Sequence, residues 1–134
     1  MVQELRVLVA DDYNLIRALL REALIELGYP NITEASNGVE AYEKLTQAHA
    51  EGNGFGLVFI DWNMPQMTGI ELLQKCKSED AFKEIPFIMI TAERDKKNIM
   101  MALNAGVADY VVKPFSPKQV LLKIEKTLAR CKVA

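Results

Sequence analysis

Cysteine and histidine are scarce in this chain, and their scarcity narrows its chemistry. Cys76 and Cys131 stand far apart, and neither has a Cys or His at metal-ligand spacing. Both read as free thiols of a reducing compartment, the cytoplasm. The single histidine, His49, falls near a helix end beside a glycine-rich stretch and reads as a solvated surface residue, with no motif around it for a phosphohistidine. Long apolar runs are missing too. None approaches the ~20 residues of a membrane span, and the N-terminal run is too short for a signal peptide and is followed by acids. Charge of one sign is not in excess. Sixteen basic residues against eighteen acidic leave a net charge of −2, with no bulk pull toward nucleic acid or an anionic membrane. Internal repeats and low-complexity segments are also lacking.

What is present is an ordinary globular mixture, half hydrophobic and a quarter charged, over 134 residues, the length of one domain. Short β-branched apolar runs alternate with amphipathic stretches. The runs are 6–10, 32–35, 57–61, a fourth within 85–92 ending at Thr91, and 109–112. The first helix carries Leu15, Ile16, Leu19, Leu20, Ala23, Leu24 and Leu27 at helical spacing, with Asn14 placed to cap it and Gly28 and Pro30 to stop it. Asn37-Gly38 reads as a turn before a helix over 39–48. Further helices are expected over 69–78, 96–105 and 117–130, the last with Val120, Leu121, Ile124 and Leu128 on one stripe. Met64, Met67, Met89, Met100 and Met101 read as core or rim filler, except that Met100 and Met101 cannot both face inward. Five βα units with strands apolar on both faces predict a parallel sheet covered on each side, with right-handed crossovers.

Ligands of such sheets bind outside the carboxyl ends of the strands. The run Leu57–Ile60 ends on Asp61, and Pro65 and Gly69 turn the chain soon after. Asp11 and Asp12 follow the first strand, Thr91 ends the fourth, and Lys113 follows the fifth. An aspartate after a strand is ordinarily a cap or loop residue, but the whole set falls at one end of one sheet. Three carboxylates in one cleft repel, by about 4 kcal/mol per pair at 4 Å and an effective dielectric near 20. They therefore raise a pKa or bind a cation. Oxygen donors without Cys or His suit a hard ion, Mg2+ above all, which keeps open positions for phosphate oxygens. Lys113 supplies a point charge for a phosphoryl oxygen and Thr91 a hydrogen bond. A carboxylate can itself be the nucleophile, as in aspartyl-phosphate chemistry.

The segments "LVADD", "LVFIDWNMP", "IMITAE" and "YVVKPF" resemble the signatures of response-regulator receiver domains, and among them the single-domain chemotaxis receivers, over roughly residues 5–130. The resemblance implies a flavodoxin-like sheet of five strands in the order 2-1-3-4-5, doubly wound with five helices. Asp61 is then the phosphoacceptor and Asp11, Asp12, Asp61 and the backbone carbonyl of Asn63 the Mg2+ ligands. Lys113 pairs with the acceptor and then the phosphoryl group. Thr91 and Tyr110 form the switch, and Asn63 and Glu93 tune dephosphorylation. Lys113-Pro114 occupies a position where the family's peptide bond is often cis.

The implied function is that of a single receiver domain over 1–134 with no output domain. It would be a monomeric cytoplasmic signalling protein, not a turnover enzyme, phosphorylated by a histidine kinase. Its face of helix 4, strand 5 and helix 5 would bind a flagellar motor switch protein, with a phosphatase as a further partner. Two departures are expected to leave the chemistry intact: a long 50–56 loop and Tyr13 after the acid pair. Rival readings are a relay intermediate or stress-pathway receiver, a Mg2+-dependent aspartyl-phosphate phosphatase, and a flavin module. The phosphatases place their nucleophile in Asp-x-Asp, whereas Asp11 and Asp12 are adjacent. A flavin module wants a phosphate-cradling loop where this chain has "ADDYN".

Overall fold

The computed structural model describes residues 5–131. Five strands alternate with five helices: β1 (Val7–Ala10), α1 (Asn14–Glu26), β2 (Ile32–Ala35), α2 (Gly38–Ala50), β3 (Leu57–Ile60), α3 (Gly69–Lys77), β4 (Phe87–Thr91), α4 (Lys96–Asn104), β5 (Asp109–Val112) and α5 (Pro117–Cys131). All strand pairings are parallel, in the order β2-β1-β3-β4-β5. The flavodoxin-like, doubly wound architecture implied by the sequence is the one observed. Alternate strand residues feed two cores. Leu8, Ala10, Val58, Ile60, Phe87 and Met89 pack with α2 and α3 on one face. Val7, Val9, Leu57, Phe59, Ile88 and Ile90 pack with α1 and α5 on the other. Every residue of β1, β3 and β4 is buried, which is why these strands carry unbroken apolar runs.

Several local expectations need correction. Asn14 does not cap α1. Tyr13 holds the N-cap position with no side-chain cap bond, and Asn14 is the first helical residue, its Oδ1 accepting from Arg17. The turn residues before α1 are organised instead by Asp11, whose Oδ1 accepts from the Tyr13 N–H at 3.0 Å. Asn37-Gly38 is not a free turn. Asn37 is the N-cap of α2, its Oδ1 accepting from the Glu40 N–H at 2.7 Å, and the Glu40 carboxylate reaches back to the Ser36 N–H at 2.6 Å. The leucine stripe of α1 is wider than the face the sheet covers. Leu20, Ala23 and Leu24 are buried, whereas Leu15 is 70% and Leu19 46% exposed. At 100° per residue those two lie roughly a quarter-turn or more away from the buried centre. Met64 and Met89 are buried, but Met100 and Met101 both face solvent. His49 is exposed, as expected, with its ring edge-on to Phe82 at 5.8 Å. Cys76 is buried, and burial pushes its thiol up to about 12, so it is inert. Cys131 ends α5, and its side chain lies outside the described residues.

The 50–56 segment is better anchored than its glycines suggest. Helix α2 runs on to Ala50, and Phe55 is buried beneath the Arg6 guanidinium, 4.4 Å from the ring centroid. The same guanidinium donates to the Asn53 carbonyl at 2.6 Å. The segment leads into the amino end of β3, away from the carboxyl ends where the acids gather.

The loop from β3 to α3 sets the geometry of the acid end. Helix α3 opens with a capping box in which Thr68 and Glu71 satisfy one another's backbone donors. The Gly69 N–H donates to the Trp62 carbonyl at 2.9 Å, folding the loop back on β3. A Cβ at Gly69 would stand 2.1 Å from the Asp61 carbonyl oxygen. Nearby Gln66 takes a positive φ of 70°, sparsely populated for a residue with a side chain. Gly69→Ala is expected to destabilise the protein by about 3 kcal/mol, the upper range for overpacking against backbone. The shift in urea midpoint checks this, and a change within about 0.5 kcal/mol would show that the loop relaxes freely.

Candidate phosphorylation site

The acids meet because parallel strands end in register. Ala10 of β1 lies opposite Ile60 of β3, so Asp11 and Asp61 leave neighbouring strands side by side. The Asp61 N–H still donates to the Ala10 carbonyl at 3.1 Å, and the Asp11 N–H to the Ala35 carbonyl at 3.1 Å. Both carboxylates are therefore held at their roots by the ends of the sheet ladder. Asp11 is 3% and Asp61 4% exposed, while Asp12 is exposed. One carboxylate oxygen from each of the three lies within 4.8 Å of the other two.

Lys113 stands between the two buried acids. Its Nζ donates to Asp11 Oδ2 at 2.8 Å and to Asp61 Oδ2 at 2.9 Å. Sequence reasoning paired it with Asp61 alone; its bond to Asp11 is an addition. The residue after β5 is placed by its own N–H, which donates to the Thr91 carbonyl at 2.9 Å. A cis peptide bond to Pro114 follows. The remaining lone pairs are partly satisfied: Asp61 Oδ1 accepts from the Asn63 N–H at 3.3 Å, and Asp11 Oδ1 from Tyr13.

Burial acts on both kinds of charge. It raises the Asp11 carboxyl above its ordinary value of 3.8; the Lys113 and Tyr13 hydrogen bonds pull the other way without cancelling it, and the Asp61 charge adds to the rise. Burial depresses the Lys113 ammonium, but its two carboxylate partners more than reverse this and hold it above 10.5. Lys113 thus stays charged, and one cation faces three acids. The uncompensated pair of negative charges, with oxygen donors only, fits a hard divalent cation.

Further side chains approach the acids from β4, β5 and α4. Thr91 is fully buried, and its Oγ1 accepts from the Glu93 N–H at 3.3 Å. The Tyr110 hydroxyl donates to the Glu93 carbonyl at 2.8 Å. Burial, with Glu93 and Asp61 nearby, pushes that phenol up to about 12. Asn63 Nδ2 donates to Glu93 Oε2 at 3.3 Å. Every candidate named from the sequence thus lies at this end of the sheet. Two supporting residues were missed. Arg17 donates to the Asp11 carbonyl at 2.6 Å while paired with Glu34 at 3.0 Å. Asn98 donates from Nδ2 to Glu93 Oε1 at 2.9 Å. An Arg and an Asn on the polar sides of helices carry no local signal for such roles.

Residues 7–125 match the family model of the response regulator receiver domain. The chemotaxis protein CheY1 of Helicobacter pylori is 44% identical over 124 residues, 92% of this chain and 97% of that protein. A chemotaxis protein CheY homolog of Campylobacter jejuni is 38% identical over 92% of each chain. Among solved structures, the CheX-CheY-BeF3-Mg2+ complex from Borrelia burgdorferi is 28% identical with a TM-score of 0.84, covering 92% of this chain and 89% of that one. With a basin of three aspartates closed by a lysine at the carboxyl ends of a 2-1-3-4-5 sheet, this chain belongs to the response regulator receiver domain family and is a receiver of the CheY-like chemotaxis type.

Proposed function

We propose that Asp61 accepts a phosphoryl group from a histidine kinase in a Mg2+-dependent reaction, and that the protein works as a cytoplasmic signalling receiver. The observation that carries this reading is the Lys113 ammonium bridging buried Asp11 and Asp61, with Asp12 beside them. Asp11, Asp12, Asp61 and the Asn63 carbonyl would hold Mg2+. The bound ion would neutralise charge on the acids and on the phosphoryl oxygens. A carboxylate oxygen of Asp61 bonds to phosphorus as the bond from phosphorus to the donor's nitrogen breaks, and the leaving imidazole keeps that electron pair. Lys113 stays protonated and moves its hydrogen bonds from the acceptor carboxylate to the transferred group. Thr91 donates a hydrogen bond from its hydroxyl to a phosphoryl oxygen, giving up its contact with the Glu93 N–H.

That change has a route outward. Glu93 joins Thr91 to Tyr110, and Tyr110 lies on β5 between α4 and α5. Phosphorylation adds about −1.5 to −2 charge and three acceptors at Asp61, and it acts at a distance by biasing Thr91 and Tyr110 between two arrangements. The face of α4, β5 and α5 then binds a protein target, in chemotaxis a flagellar motor switch protein. The Asn63 and Glu93 side chains at the mouth tune how fast water removes the group. This chain does not act as a turnover enzyme in this reading; it catalyses only its own modification.

Incubation with Mg2+ and acetyl phosphate, read by intact mass, is expected to add one phosphoryl group to wild type and none to Asp61→Asn; an equal gain in both would reject Asp61. Mg2+ in large excess over its Kd is expected to raise the melting temperature at neutral pH by about 3–8 °C. The sign with pH follows from Asp11. Its folded value is raised, so without a cation folding favours the protonated form, and that contribution is lost as pH rises through the raised value. Protons therefore compete with the ion, and the Mg2+ shift should shrink on acidification toward that value; a pH-independent shift would place the ion elsewhere. Tyr110→Ala is expected to keep phosphorylation yet weaken phosphorylation-dependent binding of a motor switch protein about tenfold or more, measured by calorimetry with and without phosphodonor. Unchanged affinity would remove Tyr110 from the switch.

A further inference from the structure

We propose that Asn98 is a positioning residue of the phosphorylation site: from the first turn of α4 it anchors the Glu93 carboxylate, which holds Asn63 at the mouth and fixes the negative charge met by an incoming anionic phosphodonor. This rests on the phosphorylation reading above. The Glu93 side chain has two partners among the described hydrogen bonds, one on each oxygen. Asn98 Nδ2 donates to Oε1 at 2.9 Å and Asn63 Nδ2 to Oε2 at 3.3 Å. The shorter bond is the one to the helix. A glutamate has three side-chain torsions to immobilise, and the exposed, longer contact with Asn63 is the weaker restraint of the two.

Among the described hydrogen bonds, the Asn98 side chain has no partner but Glu93. The N-cap of α4 is Asp95, whose side chain accepts from the Lys97 N–H at 3.1 Å. Asn98 lies three residues further on, half-buried, with its amide aimed back at Glu93. The first turn of α4 contains Lys96, Lys97 and Asn98 and no acid. The Glu93 carboxylate, drawn to this turn by Asn98, supplies the anion that a helix N-terminus favours. The same residue receives Tyr110 on its carbonyl and gives its N–H to Thr91. A position on α4 therefore controls the charge at the mouth by one hydrogen bond.

Without Asn98, Glu93 keeps only the 3.3 Å contact with Asn63. The uncompensated negative charge of the acid cluster then drives the carboxylate toward water. The mouth becomes less repulsive to a dianion, and Asn63 loses its acceptor. The effect is electrostatic, so it grows with donor charge and fades as salt rises.

The test compares phosphorylation of the full chain by acetyl phosphate, a dianion, and by phosphoramidate, a monoanion, both with saturating Mg2+ and quenched for intact mass. Asn98→Ala is expected to speed the dianionic reaction about threefold at low salt and the monoanionic one less, the size of one screened surface charge. Glu93→Gln should reproduce that ratio, Asn98→Ala should add nothing in the Glu93→Gln background, and Asn98→Gln, which keeps the amide, should move back toward wild type. A donor ratio equal to wild type in Asn98→Ala overturns the proposal, as does an equal effect of that change in the Glu93→Gln background. A second readout needs no phosphorylation: the side-chain NH2 resonances of Asn63 should shift in Asn98→Ala, and unmoved resonances reject the linkage. Should wild type accept no phosphoryl group from either donor, the phosphorylation reading falls, and the proposal, which rests on it, falls with it whatever the NMR arm reports of the Asn98–Glu93–Asn63 contact.

Discussion

One ammonium shared by two buried carboxylates organises this protein. Lys113 reaches Asp11 and Asp61 across the carboxyl ends of the sheet, and three aspartates against one lysine leave the basin negative. Such an arrangement is costly when isolated, because desolvated charges of one sign oppose folding. It persists because each acid is rooted in a ladder hydrogen bond and further held by loop N–H groups. The surplus charge is what makes the basin receptive to a hard cation and then to phosphate oxygens.

The scaffold around the basin is rigid where the chemistry needs rigidity. β1, β3 and β4 are buried on both faces, so the points from which Asp11, Asp61 and Thr91 leave the sheet have little freedom to move. The loop after Asp61 is drawn against the strand it leaves by the close approach of Gly69 to the Asp61 carbonyl. The elements proposed to carry the signal outward are less enclosed. β5 is only partly buried, α4 buries Ala102 alone, and both are tied to the basin through polar contacts of Glu93 and Lys113. Polar contacts of this kind can be exchanged for others at small net cost, unlike close packing. The acid basin is thus supported by packing, and its link to α4 and β5 by hydrogen bonds.

Glu93 is where these two halves meet. Its backbone contacts Thr91 and Tyr110 and its side chain contacts Asn63 and Asn98. A change in the position of α4 and phosphorylation at Asp61 would therefore both act on one residue in the proposed reading, and any coupling between them is reciprocal by thermodynamic necessity.

The sequence by itself determined the alternation of strands and helices, the burial of β1, β3 and β4 on both faces, and the placing of Asp11, Asp12, Asp61, Thr91 and Lys113 at strand ends. Those features are local: apolar runs have a period, and a strand's end is a place in the chain. The strand order came from resemblance to receiver domains, not from periodicity. Only the tertiary structure decided that Leu15 and Leu19 stay exposed while Thr127 is buried, that Asp11 rather than Asn14 organises the start of α1, and that Arg6 seals Phe55 beneath the 50–56 loop. It alone brought Arg17 to Asp11, and Asn98 and Asn63 to opposite oxygens of Glu93. The reason is geometry. Periodicity records which side of an element is apolar, whereas a side-chain hydrogen bond, whether across the five positions of Glu93 and Asn98 or the thirty of Asn63 and Glu93, exists only after the folded backbone has set the distance and direction between the two groups.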